Sequence, residues 1–338
     1  MTEPAAPDTP GALPARPAGA AVNSRPAAVA LLVLLTLVWG VHWPVVKIGL
    51  ETMPPLTYAA LRLGTGLATV LGVLAAQRKL RLPPRSDLPI VVSVGIAQIA
   101  VGVLVMSIAL QVVAAGRSSV LVYMMPLCLA VELGLVFGVR PGRADIAGLV
   151  LGVAGLAVLL NPAVIDWSRP GELAGTGLLL LNAATWGGVT IHVRRHHWTA
   201  SPLELQPWQL LVALAPVAAF AFWREGFSGI TWNIQTIAVL AYSGPLATGF
   251  AFWASQAVTR ALGAQVSAMG FLAVPVVGLV SGALMLGEPL GPLDVVAFAL
   301  ILSGVALASL WPPHGDRRLT HTLPRRARQA PQDPTNPR

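Results

Sequence analysis

The sequence predicts an all-α integral membrane protein of ten transmembrane helices, arranged as two inverted five-helix repeats. Three observations predict it. First, the chain of 338 residues is 55% hydrophobic and 11% charged, with a mean hydropathy of +0.71, outside the usual range of a soluble domain. Second, one pattern occurs twice. Trp39-Gly40 and Pro55-Leu56 return as Trp186-Gly187 and Pro202-Leu203 at a shift of 147 residues. Ser118, Pro126, Gly138, Asp145 and Gly155 return as Ser267, Pro275, Gly287, Asp294 and Gly304 at a shift of 149. Third, Lys and Arg concentrate on alternate loops. The 33 glycines and 29 prolines agree with this class, since neighbouring membrane helices repair the backbone bonds these residues break.

A spanning helix needs roughly 20 apolar residues. Ten such runs follow in order: 27–49, 55–77, 89–112, 117–138, 145–161, 174–193, 203–223, 235–257, 263–286 and 291–311. The first has the apolar core of a signal peptide, but it continues through Trp39-Gly40 without a cleavage pattern and is read as a helix. The second carries Arg62, the fifth is short, and the eighth contains Pro245. Runs 27–161 and 174–311 form the two repeats. The Pro/Ala-rich segment 1–26 and the basic tail 312–338 are expected to be disordered.

Charge orients the helices. With both termini cytoplasmic, the inside segments hold 17 of the 22 basic residues, among them Arg78, Lys79, Arg81, Arg85, Arg140 and Arg143. The outside loops hold three, Arg117, Arg169 and Arg224, while Lys47 and Arg62 fall within spans. Five helices per copy is an odd number, so the second copy starts on the opposite side. The loop with Arg140 and Arg143 corresponds to Glu288-Pro289-Leu290-Gly291-Pro292, which has no positive charge, as inversion requires. The net charge of +8 therefore reports topology, not nucleic-acid binding. The single cysteine, Cys128, excludes an internal disulfide.

Duplicated, inverted halves are the usual build of a secondary transporter. The six histidines are scattered, with no metal-ligand spacing, phosphate loop or nucleophile triad, so no cofactor or metal is implied and an enzyme is the weaker class. Nothing resembles a selectivity filter, which weighs against a channel. No nucleotide-binding motif points to ATP hydrolysis.

The residues carry a resemblance. Trp39-Gly40 with Lys47, Pro55 with Arg62, Ser118 and Pro126 with Ser267 and Pro275, and Gly287-Glu288-Pro289 stand in the order found in the drug/metabolite transporter superfamily, specifically EamA-type permeases with two EamA repeats. The resemblance covers about residues 30–311. It implies export or exchange of small metabolites across a bacterial-type inner membrane, through a pathway between the halves. Amino acids are the favoured cargo by family frequency, and multidrug or toxic-compound export is the alternative within the same fold. The family's Gly-Glu-Arg-like corner departs in the first copy, which reads Gly138-Val139-Arg140-Pro141 and lacks the carboxylate.

Ionisable residues within a span are costly, so each is a functional candidate. Arg62 lies about seven residues into its helix, roughly 10 Å deep at 1.5 Å per residue. It is placed to receive a carboxylate or phosphate, or else to tie helix carbonyls together. Lys47 shares a face with Trp39 and Trp43 and is either an outer gate or an interfacial anchor neutralised by Glu51. Glu132, whose counterpart is Ser281, is either a proton carrier in antiport or a structural partner of Arg140. His42 titrates near neutrality or sits hydrogen-bonded in a helix interface. Tyr123, Tyr242, Asn182, Gln98 and Thr248 are candidate pocket lining, and Trp186 and Trp253 a candidate aromatic wall. Gly148 with Gly152 and Gly278 with Gly282 are close-approach motifs. Pro126 and Pro275 should bend their helices equivalently, as hinges or as static packing. The expected partners are a small-molecule substrate, membrane lipid and, through Glu132, protons; a homodimer is left open.

Overall fold

The computed structural model describes residues 24–138, 142–159, 161, 171–262 and 264–310. The segments expected to be disordered lie outside these residues, apart from 24–26, and so does Arg140. Every regular element among the described residues is helical. The protein is an all-α membrane bundle of ten helices. They are α1 (Arg25–Gly49), α2 (Pro55–Ala76), α3 (Arg85–Ala109), α4 (Ala115–Val122 and Met125–Phe137), α5 (Arg143–Leu159), α6 (Glu172–Arg195), α7 (Pro202–Glu225), α8 (Ile234–Ala241, Tyr242–Phe250 and Ala251–Leu262), α9 (Ala264–Phe271 and Ala273–Leu286) and α10 (Pro292–Leu310). Six of them, α1 to α4, α7 and α8, are long and apolar enough to cross a membrane alone, and shorter apolar helices in α9 and α10 add to these.

Local chemistry sets the helix ends. The Ser24 side chain accepts from Ala27 N, and Pro26 stands in the first turn of α1, where its missing N–H costs nothing. Ser201 and Glu204 form a reciprocal capping box on α7, and Asn233 caps α8 by accepting from Thr236 N at 2.9 Å. Gly138 and Gly287 end α4 and α9 with φ of +62° and +64°, a left-handed cap that glycine adopts without a Cβ clash.

The two halves pack by matched pairs, as a pseudo-two-fold arrangement requires. α1 lies on α9 as α6 lies on α4, and α2 lies on α8 as α7 lies on α3. Three pairs are their own counterparts: α2 with α7, α4 with α9, and α5 with α10. The α5–α10 contact is the closest. A Cβ on Gly304 would stand 2.5 Å from Gly148 O and 2.9 Å from Gly152 N, so the predicted glycine motif of α5 is spent inside the molecule. The largest apolar cluster, including Leu63, Ile90, Leu205 and Leu210, joins α2, α3 and α7.

Two irregularities recur in both halves. α4 breaks at Tyr123-Met124 and α9 at Leu272, each just before the proline that opens the next helical segment, Pro126 or Pro275. A ring without N–H cannot continue the preceding turn, so the helix restarts. The expected bends thus take the form of one- or two-residue interruptions, at which the backbone stays in or near the right-handed helical region. In addition, α3 and α8 contain π-helical stretches, Val94–Ala100 and Tyr242–Phe250, at equivalent positions.

Candidate functional site

The broken helices meet at one end of the bundle. The first segment of α4 packs on the second segment of α9 and also on α6 and α1, while the second segment of α4 packs on α6, α10 and α5. The Ser119 hydroxyl donates to Gly116 O at 2.7 Å and stands 3.3 Å from Pro275 O. Gly278 and Gly282 let this contact close: a Cβ on Gly278 would meet Ser119 Cβ at 2.9 Å, and one on Gly282 would meet Gly116 N at 3.2 Å. Glu288 then locks the same end. Its carboxylate accepts from Ala115 N at 2.7 Å and Gly116 N at 3.1 Å, capping α4, and pairs with Lys47 Nζ at 2.9 Å. Lys47 thus pairs with Glu288 rather than with Glu51, which accepts from Gln235 Nε2. Sequence spacing favoured Glu51 because it is one turn away; Glu288 arrives only through the fold. Arg117 reinforces this end by pairing with Glu172 of α6 and with Asp294 of α10, the latter at 3.4 Å.

Deeper in the bundle, α1, α2, α3 and α8 enclose a polar cluster around Arg62. The guanidinium is buried, with Nε donating to Thr248 Oγ1 at 3.1 Å and Nη1 facing Met106 Sδ at 3.5 Å. The π-helical stretch of α8 shapes this wall: Thr248 donates to Ser243 O, and Ser243 Oγ receives the Tyr58 hydroxyl at 2.8 Å. Such stretches gather at functional sites because they turn side chains out of the regular helical register. His42 is buried and stacks on Tyr242, with ring centroids 6.2 Å apart and planes 21° from parallel. The Tyr242 hydroxyl is held by Val38 O at 2.8 Å, while His42 Nε2 is buried without a hydrogen-bond partner. Among the described residues no carboxylate pairs with Arg62, whereas Lys47 pairs with Glu288, Arg117 with Glu172 and Asp294, and His196 with Asp87.

The predicted residues therefore divide. Arg62, His42, Tyr242 and Thr248 come together, and Trp43, buried at the α1–α9 contact, lies one residue from His42. Trp39 and Trp186 act as a symmetric pair. The Trp39 indole donates to Ala247 O and the Trp186 indole to Gln98 O, both at 3.1 Å, and both carbonyls belong to the π-helical stretches of the opposite half. Tyr123 stands at the break in α4. Glu132, Asn182 and Trp186 lie apart from the Arg62 cluster, at the α4–α6 and α3–α6 contacts. Glu132 packs on α6, where a Cβ on Gly187 would stand 2.7 Å from its Oε2, an atom with no hydrogen-bond partner. Asn182 Oδ1 is likewise buried and unpartnered. Trp253 stacks on Phe250 with centroids 5.7 Å apart, a packing contact. Sequence reading missed Met106, Tyr58 and Ser243 as site residues, because their contacts with Arg62 and its neighbours join separate helices and no local pattern marks them.

A cleft of about 290 Å³ lined by Pro55, Leu56, Ile108, Phe220, Arg224 and Glu225 opens at the end of α2 and α7 and does not include the Arg62 cluster.

Comparison with known proteins agrees with this architecture. The EamA-like transporter family matches residues 26–161 and 173–310, one match per half. The "Uncharacterized transporter YoaV" of Bacillus subtilis is 27% identical over 276 residues, covering 81% of this chain and 94% of its own length. The "Probable amino-acid metabolite efflux pump" of Salmonella typhimurium is 28% identical over 288 residues, covering 81% of this chain and 92% of its own. A solved structure described as "Crystal structure of protein" shares the fold with a TM-score of 0.60 at 24% identity, covering 85% of this chain and 99% of its own. With both halves matched, this chain belongs to the EamA-like transporter family.

Proposed function

We propose that this transporter moves a small polar metabolite, an amino acid or a related compound, across the bacterial-type inner membrane by alternating access between its two inverted halves. The observation that carries the reading is the crossing of α4 and α9, two helices interrupted at equivalent positions, where the first segment of α4 packs on the second segment of α9 at the Glu288 end. Broken helices at a repeat interface are a recurrent site of substrate binding, and rocking about such a crossing opens one end as it closes the other. The loop charges support cytoplasmic termini, which would make the Glu288 end the outer one and the structure closed to the outside. In the first half the repeat spans 27–161, in the second 174–311.

Within this reading Arg62 anchors the cargo, His42, Tyr242 and Thr248 line its site, and Glu132 serves proton coupling from the opposite repeat contact. The relative whose printed name is an amino-acid metabolite efflux pump supports cargo of that kind. The test is flux through purified protein in liposomes, over amino acids, nucleosides and cationic drugs, with and without a pH gradient. Saturable movement of the metabolites is the expected result. Saturable movement of the cationic drugs alone would replace this reading with multidrug export.

A further inference from the structure

The Arg62 cluster has an imbalance of charge. A guanidinium carries five N–H donors, yet here it has one hydroxyl and one sulfur as partners, at 3.1 and 3.5 Å. Arg62 is 8% exposed, and among the described residues its Nη2 makes no hydrogen bond within the protein. A buried cation without a counter-ion is among the costliest arrangements in a protein, more so within a membrane. The acids that might neutralise it are committed elsewhere. Glu225 accepts from Leu56 N, Thr57 N and Thr57 Oγ1; Glu288 holds Lys47 and the α4 terminus; Glu132 lies on α6. His42, which lies near enough to Arg62 for the two to interact electrostatically, has its Nε2 buried without a hydrogen-bond partner. The Tyr58 and Tyr242 hydroxyls are both spent, leaving ring faces.

We propose that Arg62, Thr248 and His42 form a receiving site for a single carboxylate, and that the cargo's own anion supplies the counter-charge the protein omits. One buried cation balances one negative charge, so a monoanion fits where a phosphate dianion leaves a net charge behind. The planar fork of Arg62 suits a carboxylate. The stacked His42 and Tyr242 rings offer an apolar wall beside it. Among the described residues no carboxylate pairs with Arg62, so none is in place there to take an ammonium group. Carboxylic acids without a free amine, such as deaminated or N-acylated relatives of amino acids, therefore bind in preference to zwitterions, and amines do not bind. This rests on the transport reading and narrows its substrate class.

Thermal unfolding of the purified full chain in detergent tests it, with phenylacetate, phenylalanine, phenethylamine and phenyl phosphate as probes and anionic lipid as a further arm. Phenylacetate raises Tm by at least about 2 °C at saturation. Phenylalanine binds about tenfold more weakly, because its ammonium is left unpaired, and phenethylamine gives no shift. Arg62→Met removes the uncompensated charge, so the variant without ligand melts at or above the parent temperature and loses the phenylacetate shift. An arginine that served only to tie helices together would give the opposite, a lower melting temperature with the shift retained. Equal shifts from phenylalanine and phenylacetate, or stabilisation by phenyl phosphate or lipid alone, overturn the proposal. Flux measured on the same preparations separates the two readings. Movement of a cargo without carboxylate stabilisation sinks the carboxylate site and leaves transport standing; carboxylate stabilisation without flux of any probe does the reverse.

Discussion

Glu132 and Ser281 occupy equivalent positions and do different work. Ser281 is a short side chain 3.5 Å from Gly40 O, a contact made within the α1–α9 pairing. Glu132 sets a carboxyl in the matching place, against Gly187 of α6, and its Oε2 finds no partner. Cys128 stands one turn earlier on the same helix, and Gly187 and Gly188 bring only backbone to the contact. A carboxyl set against backbone and a thiol, with an oxygen left unpartnered, is placed to take up and release a proton. If it carries protons, Glu132→Gln keeps counterflow exchange in liposomes but loses accumulation driven by a pH gradient. A variant that still accumulates cargo under the gradient removes Glu132 from the coupling. Both Glu132 and Arg62 are legible in the sequence, since a charge within an apolar run is conspicuous. Their surroundings are not: Thr248 reaches Arg62 across 186 positions and Met106 across 44, distances that no local pattern spans.

Elements show a similar split between what sequence reveals and what it hides. Pro126 and Pro275 announce the breaks in α4 and α9, because the missing N–H acts on its own turn. The π-helical stretch of α8 has Pro245 as a mark, but its counterpart in α3 has no proline and no warning in its composition. The strongest device at this scale is the Glu288 clasp, which joins α1, α4 and the α9–α10 corner through one carboxylate. Its family motif was visible in Gly287-Glu288-Pro289, yet its partners were not. The Lys47 side chain is a third exposed, so the ion pair contributes less than the two amide bonds to the α4 terminus. Glu288→Gln weakens those bonds, and amide exchange over Ala115–Val122 should quicken by about tenfold. Exchange at the parent rate would mean that Ser119 and the glycines of α9 hold this end without Glu288.

At the scale of the whole molecule, duplication fixes the architecture and the departures from it set the direction of bias. The repeat shift and the alternating loop charges reveal two five-helix halves, and the matched packing of α1 on α9 and α6 on α4 bears them out. The halves nevertheless differ where it matters for a cycle. Glu288 clasps one end, while the equivalent corner has Val139 and no carboxylate to offer. On the alternating-access reading proposed above, the clasp favours the state closed at the Glu288 end, and transport requires that it open. The crossing of α4 and α9 allows a direct test. A Cβ on Gly116 would lie 3.7 Å from Leu279 Cβ, inside the roughly 3.5–4.5 Å that a disulfide spans. The replacement Leu279→Cys removes the Cδ1 atom that would crowd it at 2.8 Å, while Leu279 Cα at 3.0 Å requires the two helices to part by a few tenths of an ångström to form the bond. In a Cys128→Ser background, Gly116→Cys with Leu279→Cys should crosslink on oxidation, lose flux and regain it on reduction. If the crosslinked protein carries cargo at the reduced rate, this end stays shut throughout the cycle. The pathway would then run elsewhere than between α4 and α9.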